Sequence, residues 1–63
     1  MEQKRKYAVF AENLENRTLY LFDEPVFSGD VQLLYETDDY DKAEEEARFW
    51  ERGLSSSWKV TVY

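Results

Sequence analysis

The residue types that most often carry catalysis are missing from this chain, which has no His and no Cys. A Ser–His–Asp triad and a Cys nucleophile are therefore excluded, and a zinc site lacks its thiolate and imidazole ligands. Carboxylates are abundant, with 14 Asp and Glu among 63 residues. A carboxylate acid–base pair would need a cleft, for which so short a chain has little room. We therefore expect a protein that is not an enzyme and that needs no cofactor or metal.

Half of the carboxylates lie in one stretch of the sequence. They are Glu36, Asp38, Asp39, Asp41, Glu44, Glu45 and Glu46. A calcium-binding loop fits them poorly, because its sixth position requires Gly and counting from Asp39 places Glu44 there. A solvated helix start that suits the helix dipole explains them, and so does an acidic strip that binds a basic groove. For such a strip we select as partner-binding residues Asp38, Asp39, Glu45 and Glu46.

One helix is indicated by apolar residues spaced three and four positions apart, which places them on a single stripe. The stripe comprises Tyr40, Ala43, Ala47, Trp50 and Leu54. Asp38 or Asp39 can cap its start, and Gly53 suits a left-handed residue just beyond its end. These signals predict a helix over residues 39–52.

Four strand-like segments accompany the helix. Tyr7–Ala11 and Thr18–Phe22 are rich in strand-forming residues and predict a β-hairpin. Pro25 ends the second strand, because proline donates no ladder hydrogen bond. Val31–Tyr35 predicts a third strand, and the alternation of apolar and polar residues over Trp58–Tyr63 predicts a fourth.

The elements together predict an α+β fold with the order β-β-β-α-β. The sheet should be mostly antiparallel, with one helix on one face. A chain of 63 residues forms one domain at most, which we assign to residues 1–63, with residues 1–6 as a flexible N-terminus.

The sheet should be apolar on both faces, because successive strand residues point to opposite sides. The mostly aliphatic set, which includes Val31 and Leu33, is expected to meet the helix. The other set would remain uncovered: Phe10, Tyr20, Phe22, Leu34 and Tyr63. Exposed contiguous apolar residues mark interaction sites, although cross-strand aromatic pairs alone can stabilise a half-exposed sheet. We predict that this aromatic face binds a partner, and that it forms a homodimer, since small domains without disulfides or metals often associate.

The net charge of −6 disfavours direct nucleic-acid binding, because phosphate backbones attract Lys and Arg. It suits a basic protein partner or simply solubility. The polar start of the chain offers no apolar segment long enough for a signal peptide or a membrane span. We therefore expect a cytoplasmic protein that does not bind membranes.

In length, acidity, lack of Cys and order of elements, the chain resembles small phage-encoded inhibitors of host enzymes and of bacterial defence systems. The resemblance covers the whole chain and carries over no individual functional residue. It implies a protein that occupies the surface of a partner, such as a nucleic-acid-processing host or defence enzyme, in the host cytoplasm. Two alternatives stay open: a structural or assembly subunit with a permanent aromatic interface, and a minimal carboxylate enzyme.

Overall fold

A computed structural model describes residues 5–63, and within them it confirms an α+β fold with an antiparallel sheet and one helix. The elements in chain order are β1 (Tyr7–Asn13), β2 (Leu19–Leu21), β3 (Glu24–Val26), β4 (Val31–Thr37), α1 (Tyr40–Gly53) and β5 (Trp58–Val62). The strand β3 is an addition to the predicted order. The expected flexible N-terminus lies outside the described residues except for Arg5 and Lys6, which contact Tyr7 and Glu36 respectively.

The main sheet has three strands in the order β4-β1-β5, and both pairings are antiparallel. Strand β1 takes the central position of this sheet. Val9 and Ala11 are fully buried there. Val9 pairs with Tyr35 on one side and Val62 on the other. The core therefore lies between β1 and helix α1.

Helix α1 begins where the sequence predicts. The Asp39 side chain is the N-cap, and its Oδ1 accepts hydrogen bonds from the backbone N–H groups of Asp41 (3.0 Å) and Lys42 (3.3 Å). Ala43 is fully buried, so its small side chain allows the helix to approach the sheet closely. The prediction for Gly53 was wrong, because Gly53 is still helical, and Leu54 caps the end in an extended conformation.

The predicted hairpin between Tyr7–Ala11 and Thr18–Phe22 was wrong. Strand β2 pairs instead with β3, as a separate two-stranded hairpin. Its two-residue turn is Phe22-Asp23, with φ of 55° and 62°, and positive φ at both positions is the requirement of a type I′ turn. Pro25 lies opposite Tyr20, next to the pair that closes the turn. Residues at this position form a non-hydrogen-bonded pair, so the missing N–H of proline costs the ladder no hydrogen bond.

A β-bulge in β4 changes which of its side chains face the helix. Val9 pairs with Tyr35 but Phe10 pairs with Leu33, so Leu34 is left without a partner residue. The extra residue inverts the alternation along the strand. Val31 and Leu33, predicted to face the helix, lie on the opposite side of the sheet and are 48% and 45% exposed. The assignment of these two residues was therefore wrong.

Candidate protein-binding surfaces

The side of the main sheet opposite the helix carries one group of cross-strand neighbours, which we call the open face. Its members are Ala8, Phe10 and Glu12 of β1, Val31, Leu33 and Glu36 of β4, and Lys59, Thr61 and Tyr63 in and after β5. The rings of Phe10 and Tyr63 meet edge to face, with their centroids 5.4 Å apart. Phe10 and Tyr63 thus share a face as predicted.

The remaining members of the predicted aromatic face are elsewhere. Phe22 contacts Trp50 of the helix, with ring centroids 5.6 Å apart. Tyr20 lies on the outer side of the β2–β3 hairpin opposite Pro25 and is 70% exposed. Leu34 is the extra residue of the bulge. The prediction of one continuous five-residue face was wrong, because the hairpin does not join the main sheet.

A second aromatic group forms where the hairpin turn meets the helix. Trp50 is in edge-to-face contact with both Phe22 and Phe49, the latter at a centroid distance of 5.9 Å. Although the rings touch, Phe22 is 56% and Phe49 61% exposed. We call Phe22, Phe49 and Trp50 the aromatic cluster. Edge-to-face pairs contribute about 0.5–1.5 kcal/mol beyond the area they bury, so the cluster fastens the hairpin to the helix while leaving much ring surface to solvent.

The backbone of Phe22 is in a conformation that bulky residues rarely adopt. Its φ is 55°, and the left-handed region costs an L-residue roughly 1–2 kcal/mol. A Gly or Asn would occupy this turn position with less strain. The type I′ turn requires this conformation, and here it presents a large aromatic ring to the helix.

The acidic residues extend from the start of the helix toward the aromatic cluster. Asp41, Glu45 and Phe49 are spaced four residues apart, which aligns them as one ridge along the helix. We call these three residues the helix ridge. Asp41 and Glu45 are exposed, and Glu45 and Phe49 line a surface depression of about 480 Å³ together with Arg52 and Gly53. The ridge thus joins the acidic region to the aromatic cluster.

The four acids selected from the sequence differ in their surroundings. Asp38, Asp39 and Glu45 are exposed, whereas Glu46 is half-buried. Asp39 is already engaged as the helix cap. The sequence analysis missed Phe49, although an aromatic residue outside the apolar helical stripe is itself a signal of a surface role. It included Asp41 in the acidic stretch but did not select it among the four partner-binding acids.

Among residues 5–63, no group of Asp and Glu side chains is arranged to hold a metal ion. In the same part of the chain, no helix has the length and apolar character needed to cross a membrane. Comparison with protein-family models, with curated proteins and with solved structures found no match.

Proposed function

We propose that this chain is a non-enzymatic protein-binding module that inhibits its partner by occupying a basic surface. The observation that carries the proposal is the aromatic cluster, in which Phe22 and Phe49 are more than half exposed and Phe49 also ends the helix ridge that begins with Asp41 and Glu45. Energetically dominant interface residues are enriched in Trp, Tyr and Arg and are surrounded by contacts that exclude water; the cluster contains Trp50.

The acids of the helix ridge favour a basic partner. Asp41 and Glu45 precede Phe49 on the ridge, within a chain of net charge −6. The complementary surface has an apolar pocket for the rings and Lys or Arg residues beside it. Basic grooves of that kind are used by enzymes that bind nucleic-acid phosphates. We therefore assign the partner to the class of nucleic-acid-processing enzymes, with inhibition by steric occupation of the groove.

The test uses two phenylalanines of nearly equal exposure. Phe49 is 61% exposed within the aromatic cluster, and Phe27 is 59% exposed in the loop after β3. Tagged wild-type protein, Phe49→Ala and Phe27→Ala are compared for capture of proteins from bacterial lysate, with mass spectrometry. We expect a stoichiometric enzyme partner that Phe49→Ala loses and Phe27→Ala retains. The purified enzyme should lose activity when an equimolar amount of wild-type chain is added.

Two results would contradict the proposal. Equal capture by Phe49→Ala and the wild type would remove the aromatic cluster from the interface. A captured enzyme whose activity is unchanged by saturating chain would exclude inhibition. Capture of no protein except the chain itself would favour the alternative, a structural or assembly subunit, whose supporting observation is the apolar open face.

A further inference from the structure

We infer that the open face of the sheet binds a second copy of this chain, an association independent of the proposed function of the helix ridge. Helix α1 packs on the other side of the sheet, where Val9 and Ala11 are fully buried. On the open face Val31, Leu33 and Tyr63 remain 48%, 45% and 57% exposed. These residues flank Phe10 on both sides, so the apolar surface crosses all three strands.

The charges on this face favour a second copy over a basic partner. Glu12 and Lys59 are cross-strand neighbours, and the Lys6 ammonium lies 3.7 Å from the Glu36 carboxylate. The open face itself carries one cation and two anions, and the adjoining Lys6 brings their sum to zero, whereas the whole chain has a charge of −6. Two copies repel each other wherever their acidic surfaces meet. A neutral apolar face is the place where they can approach without that repulsion, while a basic protein would bind the acidic helix ridge.

The nine residues of the open face form a three-by-three array, in which each column is a strand and each row is a set of cross-strand neighbours. Phe10 is at its centre, and Val31 and Tyr63 lie at opposite corners. Lys59 and Glu36 occupy the other two corners. Twofold dimers use the same patch on both copies, and for two stacked sheets the axis must lie in the plane between them. The arrangement of the corners therefore decides which axis is acceptable.

An axis parallel to the strands would stack Lys59 of one copy on Val31 of the other. An axis perpendicular to the strands would stack Glu36 on Val31, so each of these arrangements buries a charge against an apolar side chain. An axis through the Lys59 and Glu36 corners would stack like charges. An axis along the remaining diagonal, through Val31 and Tyr63, would stack Val31, Phe10 and Tyr63 of one copy each on the same residue of the other copy. It also moves Lys59 of one copy toward Glu36 of the other.

This diagonal predicts the geometry of the dimer. With strands about 4.8 Å apart and alternate residues about 6.7 Å apart, it lies about 35° from the strand direction. The strands of the two copies would then cross at about 70°, close to the orthogonal class of sheet packing. The array measures roughly 15 by 20 Å, which is less than the ~800 Å² per partner of a standard interface. We therefore expect a weak dimer with a dissociation constant in the micromolar range.

The absence of Cys allows a direct test with single introduced thiols. Val31 lies on the proposed axis, so under mild oxidation Val31→Cys should form a disulfide-linked dimer. The matched control is Tyr40→Cys on the helix side, because Tyr40 is 49% and Val31 48% exposed. Sedimentation of the unmodified chain should show the dimer forming with increasing concentration, and Leu33→Lys or Val31→Lys should abolish it. Circular dichroism checks that these variants fold.

Three outcomes would overturn the inference. The first is a folded wild-type chain that stays monomeric up to millimolar concentration. The second is disulfide linkage of Tyr40→Cys as rapid as that of Val31→Cys. The third is a dimer that persists in folded Leu33→Lys and Val31→Lys, which would indicate pairing through the edge of β5. None of these results depends on whether the helix ridge binds an enzyme.

Discussion

The Asn13 side-chain amide donates a hydrogen bond of 2.9 Å to the backbone carbonyl of Val26, and both residues are buried. The same amide donates to the carbonyl of Arg17 at 2.7 Å, while its Oδ1 accepts from the backbone N–H of Glu15 at 2.8 Å. One side chain at the end of β1 therefore joins the main sheet to both ends of the segment that forms the β2–β3 hairpin.

We predict that Asn13→Ala lowers the free energy of unfolding by about 2–4 kcal/mol, because it leaves the buried Val26 carbonyl and the partly buried Arg17 carbonyl without that donor. Asn13→Asp should cost more, since it places a carboxylate oxygen against those carbonyls. Urea unfolding gives both values, and Asn16→Asp on the exposed loop is the control, with a change expected within about 0.5 kcal/mol. An Asn13→Asp protein as stable as the wild type would show that this junction is unimportant.

The turn at Phe22-Asp23 leads to a prediction that leaves the aromatic cluster intact. Asp23 has a φ of 62°, and Gly adopts left-handed conformations without the steric cost of a side chain. Asp23→Gly should therefore raise stability by about 0.5–1 kcal/mol, whereas the β-branched Asp23→Val should lower it by at least about 1 kcal/mol. Thermal unfolding measures both. Asn16, whose φ is not positive, provides the contrast, because Asn16→Gly should not stabilise.

The helix cap can be tested separately from the acidic charge. Asp39→Ala removes the acceptor for two backbone N–H groups and should cost about 1 kcal/mol. Asp39→Ser should recover most of that loss, since its hydroxyl can accept the same bonds without a negative charge. If Asp39→Ala and Asp41→Ala have equal effects on unfolding, the contribution of Asp39 is general electrostatics and not capping.

Charge reversal on the helix ridge tests the electrostatic part of the proposed function. Asp41→Lys with Glu45→Lys should greatly weaken partner binding, and binding by the wild type should weaken as salt rises, because screening lengths shorten to about 8 Å at 0.15 M. Asp39 is left unchanged because it caps the helix. Isothermal titration with the purified partner gives the affinities. Undiminished binding by the folded double variant would mean that these acids serve solubility alone.

The helix could be predicted closely because its signals are local. The spacing from Tyr40 to Leu54 and the acid at position 39 both depend on neighbouring residues in the sequence. The partners of β1 could not be predicted in the same way, because β4 and β5 are distant in sequence and an apolar strand pairs acceptably with several others. We interpreted Pro25 only as the end of the second strand and therefore did not predict β3. A proline is tolerated in an edge strand where its nitrogen faces away from the partner strand, and the preceding turn decides which positions do so.

The candidate surfaces were predicted in part, and the errors have a physical origin. Leu33 and Leu34 are both apolar, so the sequence offers no sign that a bulge inverts the alternation between them. Phe22 was assigned to the sheet as the last residue of the predicted strand Thr18–Phe22, whereas it lies in a left-handed turn and contacts Trp50. Phe10 and Tyr63 were placed correctly, because Tyr63 directly continues β5, whose alternation is regular.

The central position of β1 also determines the order in which the molecule can fold. Phe10 pairs with Leu33 on one side and with Thr61 on the other. During synthesis, β1 can therefore pair on one edge only after β4 is made. It can pair on the other edge only after β5, the last of the described elements, is made. The β2–β3 hairpin and the helix can form earlier, because their contacts are local. Pairing of strands that are distant in sequence is slow, because the entropy of loop closure is lost before the stabilising contacts between the strands form. A nascent chain halted before Trp58 would therefore carry an apolar strand with one edge unpaired, and such an edge can pair with another chain.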